Sequence, residues 1–96
     1  MELDPAYGEA QLGLGKAYVQ LKRPAEAVQQ FRRAVELLPG KVEPYNWLGR
    51  TLIGMGQAQE GRKALEEVKR LKAAEHERLL DLRTRPTGGT GPGNTQ

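Results

Sequence analysis

The sequence predicts an all-α protein built from antiparallel helix-turn-helix repeats. Apolar residues recur at intervals of three and four over most of residues 5–83, which is the spacing of a single helix face. Proline and glycine interrupt this pattern at 24, 39–40 and 54–56, and each interruption predicts a turn. Leu14-Gly15 recurs as Leu48-Gly49, 34 residues later, so the hairpin predicted in the first half of the chain occurs again in the second.

The positions of these turns define four helices. Asp4 and Pro5 are typical of a helix start, because the aspartate accepts free backbone N–H groups and proline suits the first helical position. No proline closes the last helix at repeat length, so we expect it to continue to about residue 83. The first two predicted helices cover about residues 5–21 and 24–38. The third runs from near 43–44 to about 54, and the fourth begins at 57 or 58 and continues to about 83.

Composition excludes most catalytic chemistry. The chain has 96 residues, enough for one small domain, with no cysteine, no serine and a single histidine, His76. These counts remove thiolate chemistry, the commonest hydroxyl nucleophile and a clustered zinc site, and Gly15-Lys16 is followed by alanine instead of the hydroxyl residue of a phosphate loop. We therefore predict no enzymatic activity, no cofactor and no metal.

The charge and hydropathy of the sequence predict a soluble protein. The net charge of +3 comes from basic residues interleaved with acidic ones, and no apolar run approaches the roughly 18 residues that span a bilayer. No membrane association is expected. Nothing in the sequence fixes the compartment, and the cytoplasm is the default expectation.

The 34-residue unit resembles the tetratricopeptide repeat. Residues 8–41 form the better match, and residues 42–75 form a second, weaker repeat in which Gly61, Val68 and Ala73 replace two alanines and a closing proline. The matching residues of the first repeat are Leu14, Gly15, Tyr18, Ala27, Phe31, Ala34 and Pro39. The resemblance divides the remaining chain into residues 1–7, the end of a preceding repeat or a helix start; 76–83, an extension of the last helix; and 84–96, a disordered tail.

This resemblance implies a concave groove lined by the first helix of each hairpin. Lys16 and Arg50 occupy equivalent positions, and side by side they would form a positive spot for a carboxylate. Asn46 could hydrogen-bond a peptide backbone, and Trp47 could anchor an apolar side chain. The expected ligand-binding residues are Leu12, Lys16, Asn46, Trp47 and Arg50. Two alternatives stay open: Trp47 packs only against the preceding helix, and the two cations are ordinary solvated charges.

The function that the resemblance implies is a non-catalytic scaffold that binds a protein or peptide partner. Because such stacks usually contain about three repeats, the chain is expected to be the C-terminal part of a longer array. One alternative is an RNA-binding helical repeat that uses Arg32 and Arg33 together with Lys16 and Arg50, although glutamates share the groove and stacking aromatics are few. Another is a small protein that self-associates through exposed terminal helices. An apolar stripe over residues 71–82 would then be a dimer seam, unless it folds over the last hairpin as a cap.

Overall fold

The computed structural model describes residues 5–84, and every secondary-structure element in that range is an α-helix. The helices are α1 (Pro5–Gln20), α2 (Pro24–Leu37), α3 (Val42–Gly54) and α4 (Ala58–Thr84). The predicted all-α class is confirmed, and the helix ends agree with the proline and glycine signals to within two residues. Residues 1–4 and 85–96 lie outside the described residues, and with them most of the predicted tail. Thr84, predicted as its first residue, belongs to α4.

The helices pair as two hairpins. α1 packs against α2, α3 packs against α4, and α2 packs on α3 to join the two hairpins. Pro24 stands at the first turn of α2, where its missing N–H leaves no hydrogen bond unmade. This arrangement places α1 and α3 next to each other at the side where a groove is expected.

Both hairpins end their first helix in the same way. Lys22 and Gly56 are 34 residues apart, and both adopt a left-handed backbone, with φ of 61° and 89°. The following N–H group in each case donates back across the turn, Arg23 to the carbonyl of Tyr18 at 2.8 Å and Gln57 to that of Leu52 at 2.9 Å. This is the Schellman arrangement, in which glycine is the usual residue at the left-handed position. The second hairpin follows that preference, and the first places a lysine there.

The core lies between the two hairpins. Phe31 is completely buried at its centre, where α2 meets both α1 and α3. The buried cluster consists of Leu12, Ala27, Val28, Phe31, Ala34, Leu48, Leu52 and Ala64. Tyr18, Val19, Val35, Trp47 and Met55 pack against it from partly exposed positions.

Two leucines of α1 exchange the roles expected for them. Leu12, predicted to face the groove, is 3% exposed and belongs to the core, whereas Leu14, predicted to belong to the packed framework, is 44% exposed. The two side chains point about 200° apart around the helix, so they cannot both face α2 and α3. Both expectations were wrong, because α1 has apolar residues on more than one face and α2 and α3 cover the one that contains Leu12.

Glycines allow the helices of each hairpin to approach closely. A Cβ atom at Gly15 would collide with the ring of Phe31. In the second hairpin, a Cβ atom at Gly61 would lie 2.6 Å from the carbonyl oxygen of Gly49, and one at Gly49 would lie 2.8 Å from that of Gly61. Gly61 replaces the alanine of the repeat pattern, and the absence of a Cβ atom there allows the backbones of α3 and α4 to come into contact.

The end of α4 projects beyond the hairpin. Residues 72–82 are all exposed along a continuous helix, including Leu79, Leu80 and Leu82. The expectation that the apolar stripe folds over the last hairpin is wrong for these three leucines. A 27-residue helix is about 40 Å long, and α3, with 13 residues, is too short to cover all of it.

Candidate functional site

A groove of about 570 Å³ lies between the C-terminal half of α3 and the turn that joins α1 to α2. Its volume falls in the range of small-ligand sites, roughly 300–1,000 Å³. The lining residues are Val19, Lys22, Pro24, Trp47, Arg50, Thr51, Gly54 and Met55. Their side chains are largely apolar, and the charged ones are both positive.

Trp47 forms a fixed wall of this groove. Its ring stacks on Phe31, with centroids 5.8 Å apart and planes 29° from parallel, and the ammonium of Lys16 lies 5.5 Å from the ring centroid. A cation–π contact near the protein surface contributes about 0.5–1 kcal/mol of stabilisation. Trp47 thus packs on the core and also lines the groove, which combines both interpretations of this residue; its partner is Phe31 of α2.

Lys16 is engaged with an acidic residue. Its Nζ donates to a carboxylate oxygen of Glu43 at 2.6 Å, which links α1 to the start of α3. Sequence equivalence predicted that Lys16 and Arg50 act together as a positive spot. The glutamate neutralises Lys16, so the net positive charge of this surface lies toward Lys22 and Arg50.

This ion pair changes the titration of Glu43. The hydrogen bond from Lys16 holds the pKa of Glu43 below its usual 4.5, despite an opposing effect of desolvation; Trp47 and Lys41 lower it further. Because the folded-state pKa is depressed, the carboxylate contributes stability above its unfolded pKa and loses that contribution as the pH falls through the folded pKa. Both side chains are well exposed, and so the pair stabilises the fold only weakly.

We expect Lys16→Met to raise the pKa of Glu43, because the substitution removes the donor and its charge while keeping an apolar stem against Trp47. Side-chain carboxyl chemical shifts followed by NMR from pH 2 to 7 measure this directly. Glu67 is a matched control, since its own pKa is lowered by Arg70 and should not change in the variant. An unchanged Glu43 titration would contradict the ion pair in solution.

Arg50 and Lys22 have no acidic side chain in pairing distance within the described part of the chain. The ion pairs formed there join other residues: Lys16 with Glu43, Arg23 with Glu26, Arg32 with Glu60, Lys41 with Glu9, and Arg70 with Glu67. No lining residue of the groove is acidic. A carboxylate entering the groove therefore meets two cations that have no acidic partner among residues 5–84.

The structure assembles the expected site residues only in part. Trp47 and Arg50 line the groove together, and Lys16 adjoins the groove through its contact with Trp47. Asn46 is half-buried on α3 and does not line the groove. Leu12 is in the core. Sequence reasoning left Lys22 and Met55 out of the site, because both lie at helix ends. One feature of the sequence could have identified Lys22. It lies 34 residues before Gly56, a turn residue, and is therefore expected in the turn between α1 and α2 that borders the groove.

Residues 5–84 contain neither a candidate metal site nor a candidate membrane span. These residues hold no group of three or more histidine or acidic side chains that could bind a metal ion. None of the helices is both long and apolar enough to cross a membrane.

The hairpins, their shared turn geometry and the groove define a helical-repeat protein. Comparison with known families gives a match to the tetratricopeptide repeat over residues 21–85, which is more than half of the chain. The protein therefore belongs to the tetratricopeptide repeat family, whose repeats generally mediate protein–protein interactions and are typically non-catalytic. A comparison with curated proteins found no match.

Proposed function

We propose that this protein is a scaffold that binds a peptide segment in the groove beside Trp47, and that the peptide carries a carboxylate next to a large apolar side chain. The observation that supports this proposal is the position of Lys22 and Arg50 beside an apolar wall, where neither cation has an acidic partner in the described part of the chain. An apolar ligand alone would leave these cations unused, and a purely acidic ligand would leave the wall uncovered.

Each wall of the groove has a distinct role in this proposal. The planar guanidinium of Arg50 suits bidentate binding of a carboxylate, and Lys22 adds a second charge from the opposite side of the groove. Val19, Met55 and the indole of Trp47 take the neighbouring apolar side chain. Because Trp47 is already held by Phe31 and Lys16, little side-chain entropy is lost when the ligand binds.

Asn46 extends the proposed site along α3. It precedes Arg50 by four residues, one helical turn, and so lies on nearly the same side of the helix. A peptide bound at Arg50 and continuing toward the start of α3 would pass Asn46, whose amide could bond the peptide backbone. Lys16 acts indirectly here, by holding Trp47 and neutralising Glu43. Leu12, which is buried, is omitted from the proposed site.

RNA is less well supported as the ligand. Two of the four cations considered for it, Lys16 and Arg32, are in ion pairs with Glu43 and Glu60. The described structure therefore offers scattered positive charges instead of the continuous basic surface that backbone phosphates require.

Selection of random twelve-residue peptides displayed on phage against the immobilised full chain tests the proposal. We expect enrichment of aspartate or glutamate beside leucine, phenylalanine or methionine. For a selected peptide, Arg50→Gln should weaken binding about tenfold, which corresponds to about 1.4 kcal/mol. Trp47→Phe should weaken it less than Trp47→Ala, measured by fluorescence anisotropy with circular dichroism to verify helical content.

Arg33→Gln is the matched control for Arg50→Gln. Arg33 is an exposed arginine on α2, outside the groove, so its replacement removes the same charge from a different surface. Binding should change less than about twofold in this control. No enrichment in the selection, or equal losses for the two arginines, would refute the proposed site.

A further inference from the structure

One face of α1 is apolar and uncovered in the described structure. We call it the α1 outer face, and it consists of Tyr7, Ala10, Leu14 and Ala17 together with Leu21, which directly follows the helix. Tyr7, Leu14 and Leu21 are 62%, 44% and 65% exposed, and both alanines are exposed. Isolated exposed apolar residues are common, but a continuous stripe along a whole helix indicates a contact surface.

The second hairpin shows what this face is suited to. The residues 34 positions after Ala10 and Leu14 are Pro44 and Leu48, which are buried, and the residue 34 positions after Leu21 is Met55, which packs on the core. The equivalents of Tyr7 and Ala17 are Lys41, which is exposed, and Thr51, which is half-buried. α3 meets α2 on one side and α4 on the other. Three of the five positions of the α1 outer face thus correspond to positions that are packed in the second hairpin.

The spacing of the α1 outer face is that of a helix–helix seam. Tyr7, Leu14 and Leu21 are seven residues apart, and Ala10 and Ala17 follow the first two by three residues. Such an alternation of three and four is the a/d pattern of a coiled coil. Alanine at every second seam position leaves room for two helix axes to approach closely. No charged side chain lies in the stripe.

The other end of the hairpin stack has the opposite character. Two positions on α4 that correspond to apolar residues of α2 are charged and exposed. Arg62 and Lys69 stand where α2 has Val28 and Val35. Covering the α1 outer face with this surface would bury two cations against apolar groups, which is strongly unfavourable. Copies of the protein are therefore not expected to stack head to tail.

We propose that the α1 outer face pairs with the same face of a second copy to form a closed, antiparallel dimer. A surface that associates only with itself requires a two-fold axis and cannot propagate into a filament. Leu14 is equidistant from Tyr7 and Leu21, so the axis passes at Leu14, and Tyr7 of each copy meets Leu21 of the other. The seam runs from Tyr7 to Leu21, a length of about 21 Å. An interface of one short helix from each copy is small, so we expect a weak dimer.

Sedimentation equilibrium of the full chain, over a wide range of protein concentrations, tests the dimer. Leu14→Glu places two carboxylates at the axis and should leave only monomer, whereas Leu79→Glu changes an exposed leucine of α4 and should leave dimerisation unchanged. Ala17→Arg is a second seam variant, in case Leu14→Glu reduces helical content. A monomer at all concentrations, a larger oligomer, or a dimer lost only in Leu79→Glu would overturn the proposal.

Disulfide trapping tests the antiparallel direction, and the absence of native cysteine makes each introduced thiol unique. Under mild oxidation, a mixture of Tyr7→Cys and Leu21→Cys chains should form mainly the mixed covalent dimer, and Leu14→Cys should form a dimer with itself. Preferential Tyr7→Cys and Leu21→Cys homodimers would indicate a parallel pair and refute this arrangement. Neither experiment depends on the peptide site, since the groove residues are unchanged.

Discussion

Replacing Phe31 by alanine is expected to remove a large share of the stability of this protein. Truncation of a buried aromatic side chain costs about 3–5 kcal/mol, and a domain of roughly 80 residues has only about 4–12 kcal/mol in total. Phe31 is completely buried, contacts Gly15 of α1 and stacks on Trp47 of α3. Its truncation therefore removes packing contacts in both hairpins. Urea unfolding followed by circular dichroism at 222 nm measures the loss.

Phe31→Leu serves as the comparison. It keeps most of the buried volume and should reduce the free energy of unfolding by about 1–1.5 kcal/mol. The ratio of the two losses reports how far the core can collapse into the space left by the ring. A loss below about 1 kcal/mol for Phe31→Ala would contradict the central position of this side chain. The alanine variant should also change Trp47 fluorescence before unfolding, because the indole loses its stacking partner.

Gly61→Ala is expected to separate α3 from α4. The new methyl group would lie 2.6 Å from the Gly49 carbonyl oxygen and 2.7 Å from Cγ1 of Ile53. The Gly49 oxygen belongs to a helix backbone and cannot rotate away, so the helices must shift. Overpacking of this kind costs about 1–3 kcal/mol, which exceeds the gain of up to about 1 kcal/mol in helix propensity. We expect a net loss of about 1–2 kcal/mol in thermal and urea unfolding.

Gly13→Ala is the matched control for this substitution. Gly13 is also inside a helix, but a Cβ atom there has no neighbour within 4 Å. The same chemical change should therefore stabilise the protein by about 0.5–1 kcal/mol. Opposite signs for the two variants would identify helix contact, and not propensity, as the reason for glycine at 61. If both variants were stabilised, the close approach of α3 and α4 would be refuted.

The helices were predictable from sequence because their ends depend on local chemistry. Proline at the start of α2 and glycine after α3 act through their own backbones and need no tertiary context. The side of α1 that faces the core was not predictable. Leu12 and Leu14 are equally apolar, and the choice between them depends on where α2 and α3 lie.

The candidate site followed from sequence only where it depends on register. Trp47 and Arg50 lie on one helix, and their placement in the groove follows from the 34-residue equivalence. The contact between Lys16 and Glu43 joins residues 27 positions apart, and it depends on the distance between α1 and α3 and on side-chain rotamers. Periodicity contains neither quantity, so the neutralisation of Lys16 was not foreseen.

Lys22 combines a left-handed backbone, which lowers stability, with a side chain that is one of the two groove cations. A side chain other than glycine in this conformation carries a penalty of about 1–2 kcal/mol, which Gly56 avoids in the equivalent turn. Selection of variants for thermal tolerance alone would favour glycine at position 22, and would thereby delete one of the two groove cations. Under the proposed function, the more stable glycine variant would bind its ligand less tightly than the protein with Lys22.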